Sequence, residues 1–362
     1  MRRLLTILVL VAAACAATGP EPALRLGVPG LSADVEQELR SAQTALQSAS
    51  ESADAWCALG DAWLAAARGS LELEAVRRAR ASFVRARVLA RGPVEARALR
   101  GEFDVALLRG RREEALRIAD AALAEHPDDV GLVCGAVEAR LASGRIDEAR
   151  ARLEPLVHAG SAPAALRARV ALASGDAEGA VRLLDAETEL GPELARARTE
   201  VGAALVRAGR TREACTFLAR GADSPTLAPE TRRTLEIALA DAELADAERG
   251  GGDELARAAL ERCERLQHEA ASPAARAIAA RACRRLGRDD EAAWHAHEAE
   301  VVLRRAVAAG EVYACGPLAR LVLEAGGDLD EALDLARRAA HADPGVDARA
   351  LVERIELARA HR

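Results

Sequence analysis

The chain has 362 residues, half of them hydrophobic and only 2% aromatic, with a formal net charge of −7. One globular core of that length would lean on aromatic side chains for buried area, so the composition argues against it. The acidic balance excludes generic nucleic-acid binding, which needs a basic footprint. Lysine and asparagine are absent, so all 50 basic side chains are arginine. GC-rich codon usage accounts for that, and arginine number alone indicates nothing.

In chain order, Met1-Arg2-Arg3 is a short positive segment, and Leu4 to Ala14 is an 11-residue run, apolar but for Thr6. That is shorter than the roughly 20 residues of a membrane-spanning helix, and it reads as a signal peptide over residues 1–15. Its end, Val11-Ala12-Ala13-Ala14-Cys15, resembles the lipobox of bacterial lipoproteins, with Ala12 where that family usually has leucine. The resemblance implies lipid attachment at Cys15 and a mature chain held at the bacterial envelope, facing the periplasm. Ala16, where an aspartate would retain a lipoprotein at the inner membrane, then implies the outer one. Ordinary cleavage after Ala16 with release into the periplasm, and an uncleaved anchor, stay open. Residues 16–33 contain proline and glycine and read as a flexible tether.

From there the sequence repeats. Trp56-x2-Leu59-Gly60-x2-Trp63 is followed by Ala79, Phe83, Ala86 and Pro93, with about seven extra residues needed around Gly69 to Glu74. Next comes Gly110-Ala115-Ala119-Ala122, closed by Pro127, and then Gly144-Ala149-Leu153-Leu156. The phrase returns at Gly175, Gly209 and Gly287, and last as Gly327-Ala332-Ala336-Ala339 with Pro344. Gly110 to Gly144 and Gly175 to Gly209 are both steps of 34 residues. Glycine ends a first helix, alanines let two helices approach, and proline stops the second. A helical period of that length predicts an α-solenoid.

Together these phrases resemble the tetratricopeptide repeat, which implies an all-α, right-handed solenoid of about eight hairpins over residues 34–345. The hairpins start near residues 53, 96, 130, 163, 195, 229, 274 and 312. Gly250-Gly251-Gly252 marks a looser turn in the sixth, with Gly251 as its glycine, and the spacing stretches to 42 and later 40 residues. Residues 34–50 read as a half repeat, and residues 346–362 as a capping helix over the last apolar face.

Catalytic chemistry is not legible. No zinc-ribbon spacing, nucleophile triad or phosphate-binding glycine loop is present, so neither an enzyme nor a cofactor is expected. His295 and His297 lie two apart and point to different sides of a helix. Cys57, Cys134 and Cys215 read as small buried spacers. Cys263 and Cys283 fall at inward positions of neighbouring hairpins, where a disulfide is one option in an oxidising compartment.

The family binds extended peptides or partner helices along the concave face of its first helices. Carried onto this chain, that phase picks out Arg100, Asp104, Glu138, Arg169 and Arg196, and then the cluster Arg281, Arg284 and Arg285. Arginines along a groove grip carboxylates bidentately, although solubilising charge explains the same residues. The family's carboxylate clamp uses asparagine and lysine, which this chain lacks. The expected function is a lipid-anchored scaffold with protein partners and no nucleic acid. The alternative is a periplasmic sensor or regulatory subunit that binds a ligand or peptide.

Overall fold

Strong helix formers, mainly alanine, leucine, arginine and glutamate, fill the stretches between glycine and proline, and they set the fold. The computed structural model describes residues 33–70, 73–187, 189–224, 227–269, 272–342 and 346–361. The leader with Cys15, and all but the last residue of the tether, lie outside the described residues. Eighteen α-helices and no strand are found among the described residues.

Helix α1 (Ala33–Ser48) precedes the hairpins. Hairpin one is α2 (Ala53–Ser70) with α3 (Leu73–Leu89), and hairpin two is α4 (Pro93–Leu108) with α5 (Arg112–Glu125). Hairpin three pairs α6 (Val130–Ala142) with α7 (Ile146–His158), and hairpin four pairs α8 (Ala164–Ala173) with α9 (Ala177–Asp185). Hairpin five is α10 (Pro192–Arg207) with α11 (Thr211–Ala222), and hairpin six is α12 (Pro229–Asp246) with α13 (Asp253–Glu269). Hairpins seven and eight are α14 (Pro273–Arg285) with α15 (Asp289–Ala308), and α16 (Cys315–Glu324) with α17 (Leu329–Ala342). Helix α18 (Val346–Ala360) follows. The chain is the all-α solenoid that its periodicity predicts. The extra residues of hairpin one lengthen α2 to 18 residues, and only positions 71 and 72 lie between its helices.

The turns inside the hairpins follow one plan. Gly110 sits at φ 69°, a left-handed conformation that an L side chain rarely adopts. Its N–H donates to Leu107 O, and the N–H of Arg111 reaches back 2.9 Å to Ala106 O, which satisfies the end of α4. Two positions differ from expectation. In hairpin eight the left-handed residue is Gly326, and Gly327 takes the following place, its N–H on Val322 O at 2.9 Å. In hairpin six Gly251 does not make the turn. The π-helical stretch Ala247–Gly251 is broken within by Gly250, whose φ of 102° is not helical, and Gly252 carries a second positive φ.

Packing relies on small residues meeting large ones. Phe83 is 0% exposed and lies against both Gly60 of α2 and Gly101 of α4. A Cβ on Gly60 would stand 2.6 Å from its ring. Val35 and Leu39 of α1 join this cluster beside Trp63. At the other end Leu351 and Ile355 of α18 cover Leu318 and Leu333. That is the capping role expected of the last helix.

First helices of successive hairpins touch from α2 through α14, while contacts between successive second helices are sparser. The first helices therefore line the inner face of the curve. Its winding also sets Glu311, between α15 and α16, within reach of the charges of Arg109, Arg111 and Arg77.

Candidate functional site

The expected inner-face residues fall into two groups with different fates. In hairpins two to five they form a ladder of alternating charge. Arg100 of α4 pairs through Nε with Asp104 Oδ1 at 3.1 Å and through Nη2 with Glu138 Oε2 of α6 at 2.7 Å. Glu138 Oε1 stands 3.6 Å from Arg169 Nη1 of α8. Arg169 Nε donates to Glu200 Oε2 of α10 at 2.8 Å, and Arg196 Nε donates to Glu200 Oε1 at 3.3 Å.

One turn of helix separates Arg100 from Asp104 and Arg196 from Glu200, which puts each pair on one face. The other contacts cross from one first helix to the next. Burial lifts the pKa of Glu138 against the pull of Arg100 and Arg169. Burial acts to lower Arg100, but Asp104 and Glu138 outweigh it, so its pKa rises. The arginines expected to grip a partner here already hold the chain's own carboxylates. Glu200 is the member that sequence reading missed, although its spacing from Arg196 signals it.

Arg281, Arg284 and Arg285 lie elsewhere, on the wall of a cleft of about 690 Å³. It runs across the C-terminal ends of α10, α12, α14 and α16 and reaches α18. Ala203, Val206 and Ala245 supply its apolar lining. Arg207, Arg249, Arg320 and Arg354 bring its arginines to seven, against Asp241, Glu248 and Glu324.

These arginines differ in how far they are engaged. Arg281 is held on both sides, by Asp241 Oδ1 at 2.7 Å and by Glu248 Oε2 at 2.8 Å. Burial acts against its charge, yet these carboxylates raise its pKa. Arg284 Nη1 donates to Glu324 O at 2.9 Å, but its buried Nη2 has no hydrogen-bond acceptor, with Glu324 Oε2 3.7 Å away. Arg249 spends Nη1 on Val206 O at 2.8 Å. Arg285 pairs with Asp253 at 3.2 Å, and Arg354 stands 3.9 Å from Glu324. Arg320 is exposed, with no ion pair among the described residues. Arginine suits a helix end because a cation there opposes the negative pole of the dipole.

The remaining candidates take ordinary places. Cys263 and Cys283 are fully buried in one cluster with Ala240 and Ile278, and both thiols are free, so the considered disulfide is not formed in this structure. Burial pushes the Cys263 thiol up to about 12. Cys57 and Cys134 are buried, whereas Cys215 is half-buried. His295 is buried against Trp294, with ring centroids 4.7 Å apart, and His297 is exposed. Among the described residues no group of three metal-ligating side chains converges, and no helix is long and apolar enough to cross a membrane.

The tetratricopeptide-repeat family profile matches residues 106–170. That stretch is similar to the tetratricopeptide repeat. It holds the end of α4 through most of α8, and with them the two central rungs of the ladder, Glu138 and Arg169. No curated protein matches the chain. Among solved structures it is similar to a tetratricopeptide repeat protein from Parabacteroides merdae, at 13% identity and TM-score 0.41, covering 67% of this chain and 93% of that one. It is similar also to the human IFIT1 dimer with PPP-AAAA, at 12% identity and TM-score 0.46, covering 85% and 87%. A third is the APC/C hetero-tetramer Cut9–Hcn1, at 14% identity and TM-score 0.34, covering 83% of this chain. The chain spans 63% of that protein, less than two thirds of its length.

Proposed function

We propose that this chain is a non-enzymatic interaction scaffold that holds a partner peptide or helix on its concave face. Tetratricopeptide repeats generally mediate protein–protein interaction, which supports the class. The observation that carries the reading is the cleft: the first helices of hairpins five to eight, together with α18, open one arginine-rich surface on the inner side of the stack. In the same reading the chain is exported and lipidated at Cys15, and faces the periplasm from the outer membrane. The lipobox-like Val11 to Cys15 supports that placement.

Two measurements test the two halves. A photo-crosslinking residue at Ala203, exposed in the cleft, should trap a discrete partner in cells, and one at Val157 on α7 should not. Equal capture at both sites, or none at Ala203, removes the scaffold reading. Metabolic labelling with a clickable palmitate should mark the native chain and spare Cys15→Ala; an unlabelled native chain removes the anchor. A second reading, a sensor for a small ligand or peptide, draws on the cleft volume, which falls within the roughly 300–1,000 Å³ of small-ligand sites. Stabilisation by a small molecule without any crosslinked partner would favour it.

A further inference from the structure

The concave face has one half closed by its own charges and one half that is not. From α4 to α10 every laddered guanidinium faces a carboxylate of this chain, in the order Asp104, Arg100, Glu138, Arg169, Glu200, Arg196. From α10 to α18 the lining holds seven arginines and three carboxylates, and Asp253 beside it takes Arg285. A surplus of positive charge thus concentrates in one cleft of a chain whose net charge is −7.

We infer that this cleft receives an acidic peptide segment, a short run of Asp and Glu side chains, recognised by Arg320, Arg354 and Arg284 and not by Arg281. The inference rests on the scaffold reading and names the chemistry of its partner.

Three observations carry it. The first is availability. Arg281 is saturated by Asp241 and Glu248, whereas Arg320 has no ion pair among the described residues and Arg354, 58% exposed, has its nearest carboxylate at 3.9 Å. Arg284 Nη2 is a donor without an acceptor, its nearest carboxylate oxygen being Glu324 Oε2 at 3.7 Å, and an unpaired buried donor is costly until a ligand or water supplies one.

The second is spacing. Three of the arginines come from α14 and the other four from α10, the Ala247–Gly251 turn, α16 and α18, so positive charge is strung along the cleft and not gathered at one point. A lone carboxylate would satisfy one guanidinium while still meeting the resident acids and the negative helix ends. Several carboxylates in a row outnumber those opposing charges, and each gains charge-assisted, bidentate hydrogen bonds.

The third is what the lining lacks. No aromatic side chain is among its residues, so the lining has no aromatic platform on which successive bases stack. The negative charge of the whole chain also opposes a long nucleic-acid backbone. A peptide presents carboxylates on a thin extended chain that an open cleft admits, and Ala203, Val206 and Ala245 provide apolar contact for its backbone.

The test uses the full-length chain and a fluorescent, acetylated and amidated Glu/Asp hexapeptide, followed by anisotropy at low and physiological salt. The peptide should bind, weaken as salt rises, and lose about tenfold or more in affinity in Arg320→Gln/Arg354→Gln, the scale of one charge-assisted pair. The Gln/Asn hexapeptide should not bind, and Arg152→Gln, an exposed arginine on α7, should leave affinity unchanged. Circular dichroism on each variant separates lost binding from lost fold. Equal binding of the neutral peptide, equal loss in Arg152→Gln, or binding of inorganic tripolyphosphate without binding of the acidic peptide would each overturn the inference. If Ala203 still crosslinks a partner while the acidic peptide fails to bind, the scaffold stands and the acidic segment falls.

Discussion

Arg100 and Glu138 are 38 residues apart in sequence and 2.7 Å apart in space, Nη2 to Oε2, so one contact ties the inner face of hairpin two to that of hairpin three. Glu138 is only 7% exposed and serves Arg169 as well. Removing it leaves Arg100 with Asp104 and Arg169 with Glu200, each short of one carboxylate in a partly dry setting, so the loss falls at the low end of the roughly 3–5 kcal/mol that breaking a buried pair costs. Glu138→Ala should therefore lower unfolding free energy by about 3 kcal/mol in urea titrations. Arg196→Ala, at the exposed end of the ladder, should cost under about 1 kcal/mol.

The cleft arginines should separate by the same logic. Arg281, with its side chain 19% exposed between two carboxylates, holds α14 to the end of α12. Arg281→Ala should destabilise by about 2–3 kcal/mol. Arg320→Ala should stay within about 0.5 kcal/mol of the parent, as surface changes do. Thermal melts of the two variants side by side check the contrast.

Phe83 leaves no space for a methyl group on either neighbour. An alanine at Gly60 or Gly101 adds helix propensity worth about 1 kcal/mol, but it must push a buried ring, and overpacking costs about 1–3 kcal/mol. Gly101→Ala should come out destabilising. The test is a double-mutant cycle with Phe83→Leu: the smaller side chain should remove most of the penalty, a coupling that distant sites do not show.

Glu311 is 2% exposed with Oε1 unpaired, and burial raises its pKa despite Arg109, Arg111 and Arg77. A carboxyl with a raised native pKa binds its proton more tightly folded than unfolded. Its ionisation therefore weakens the fold as pH rises from the ordinary carboxylate value of 4.5 through the raised one. Glu311→Gln should be more stable than the parent at pH 7 and equal to it near pH 4, read from melting temperatures across that range.

Cys263, its pKa pushed up to about 12, has almost no thiolate at pH 8 and no solvent access. Among the cysteines of the described residues, iodoacetamide should modify half-buried Cys215 first, and Cys263 only as fast as the chain unfolds. Mass spectrometry of timed samples reads the order.

Much of this was legible in the sequence. Glycines at 110, 144, 175, 209 and 287 fall where helices end, because a left-handed cap is a local demand that only the backbone imposes. Gly326 and Gly327 are adjacent, and the repeat phrase cannot tell which of them turns. The inner-face positions were legible in phase, since Arg100, Asp104, Glu138, Arg169 and Arg196 do meet. Their mutual pairing was not, because it depends on how far each first helix slides along the next. Arg249 and Arg320 escape the repeat phrase because they enter the cleft from hairpins six and eight, whose spacing departs from 34 residues, and Arg354 does so because it lies on α18, outside the hairpins.

The π-helical turn at Ala247–Gly251 gives that departure a meaning. It inserts Glu248 and Arg249 into the cleft wall, and Glu248 is one of the two carboxylates that fasten Arg281. A regular repeat presents the same face again and again, which makes it recognisable and gives a partner no reason to prefer one hairpin over another. The irregular hairpin breaks that degeneracy. Under the proposed acidic-segment reading it is the address along an otherwise periodic track, and the loss of rhythm between Gly209 and Gly287 marks where to look for a ligand.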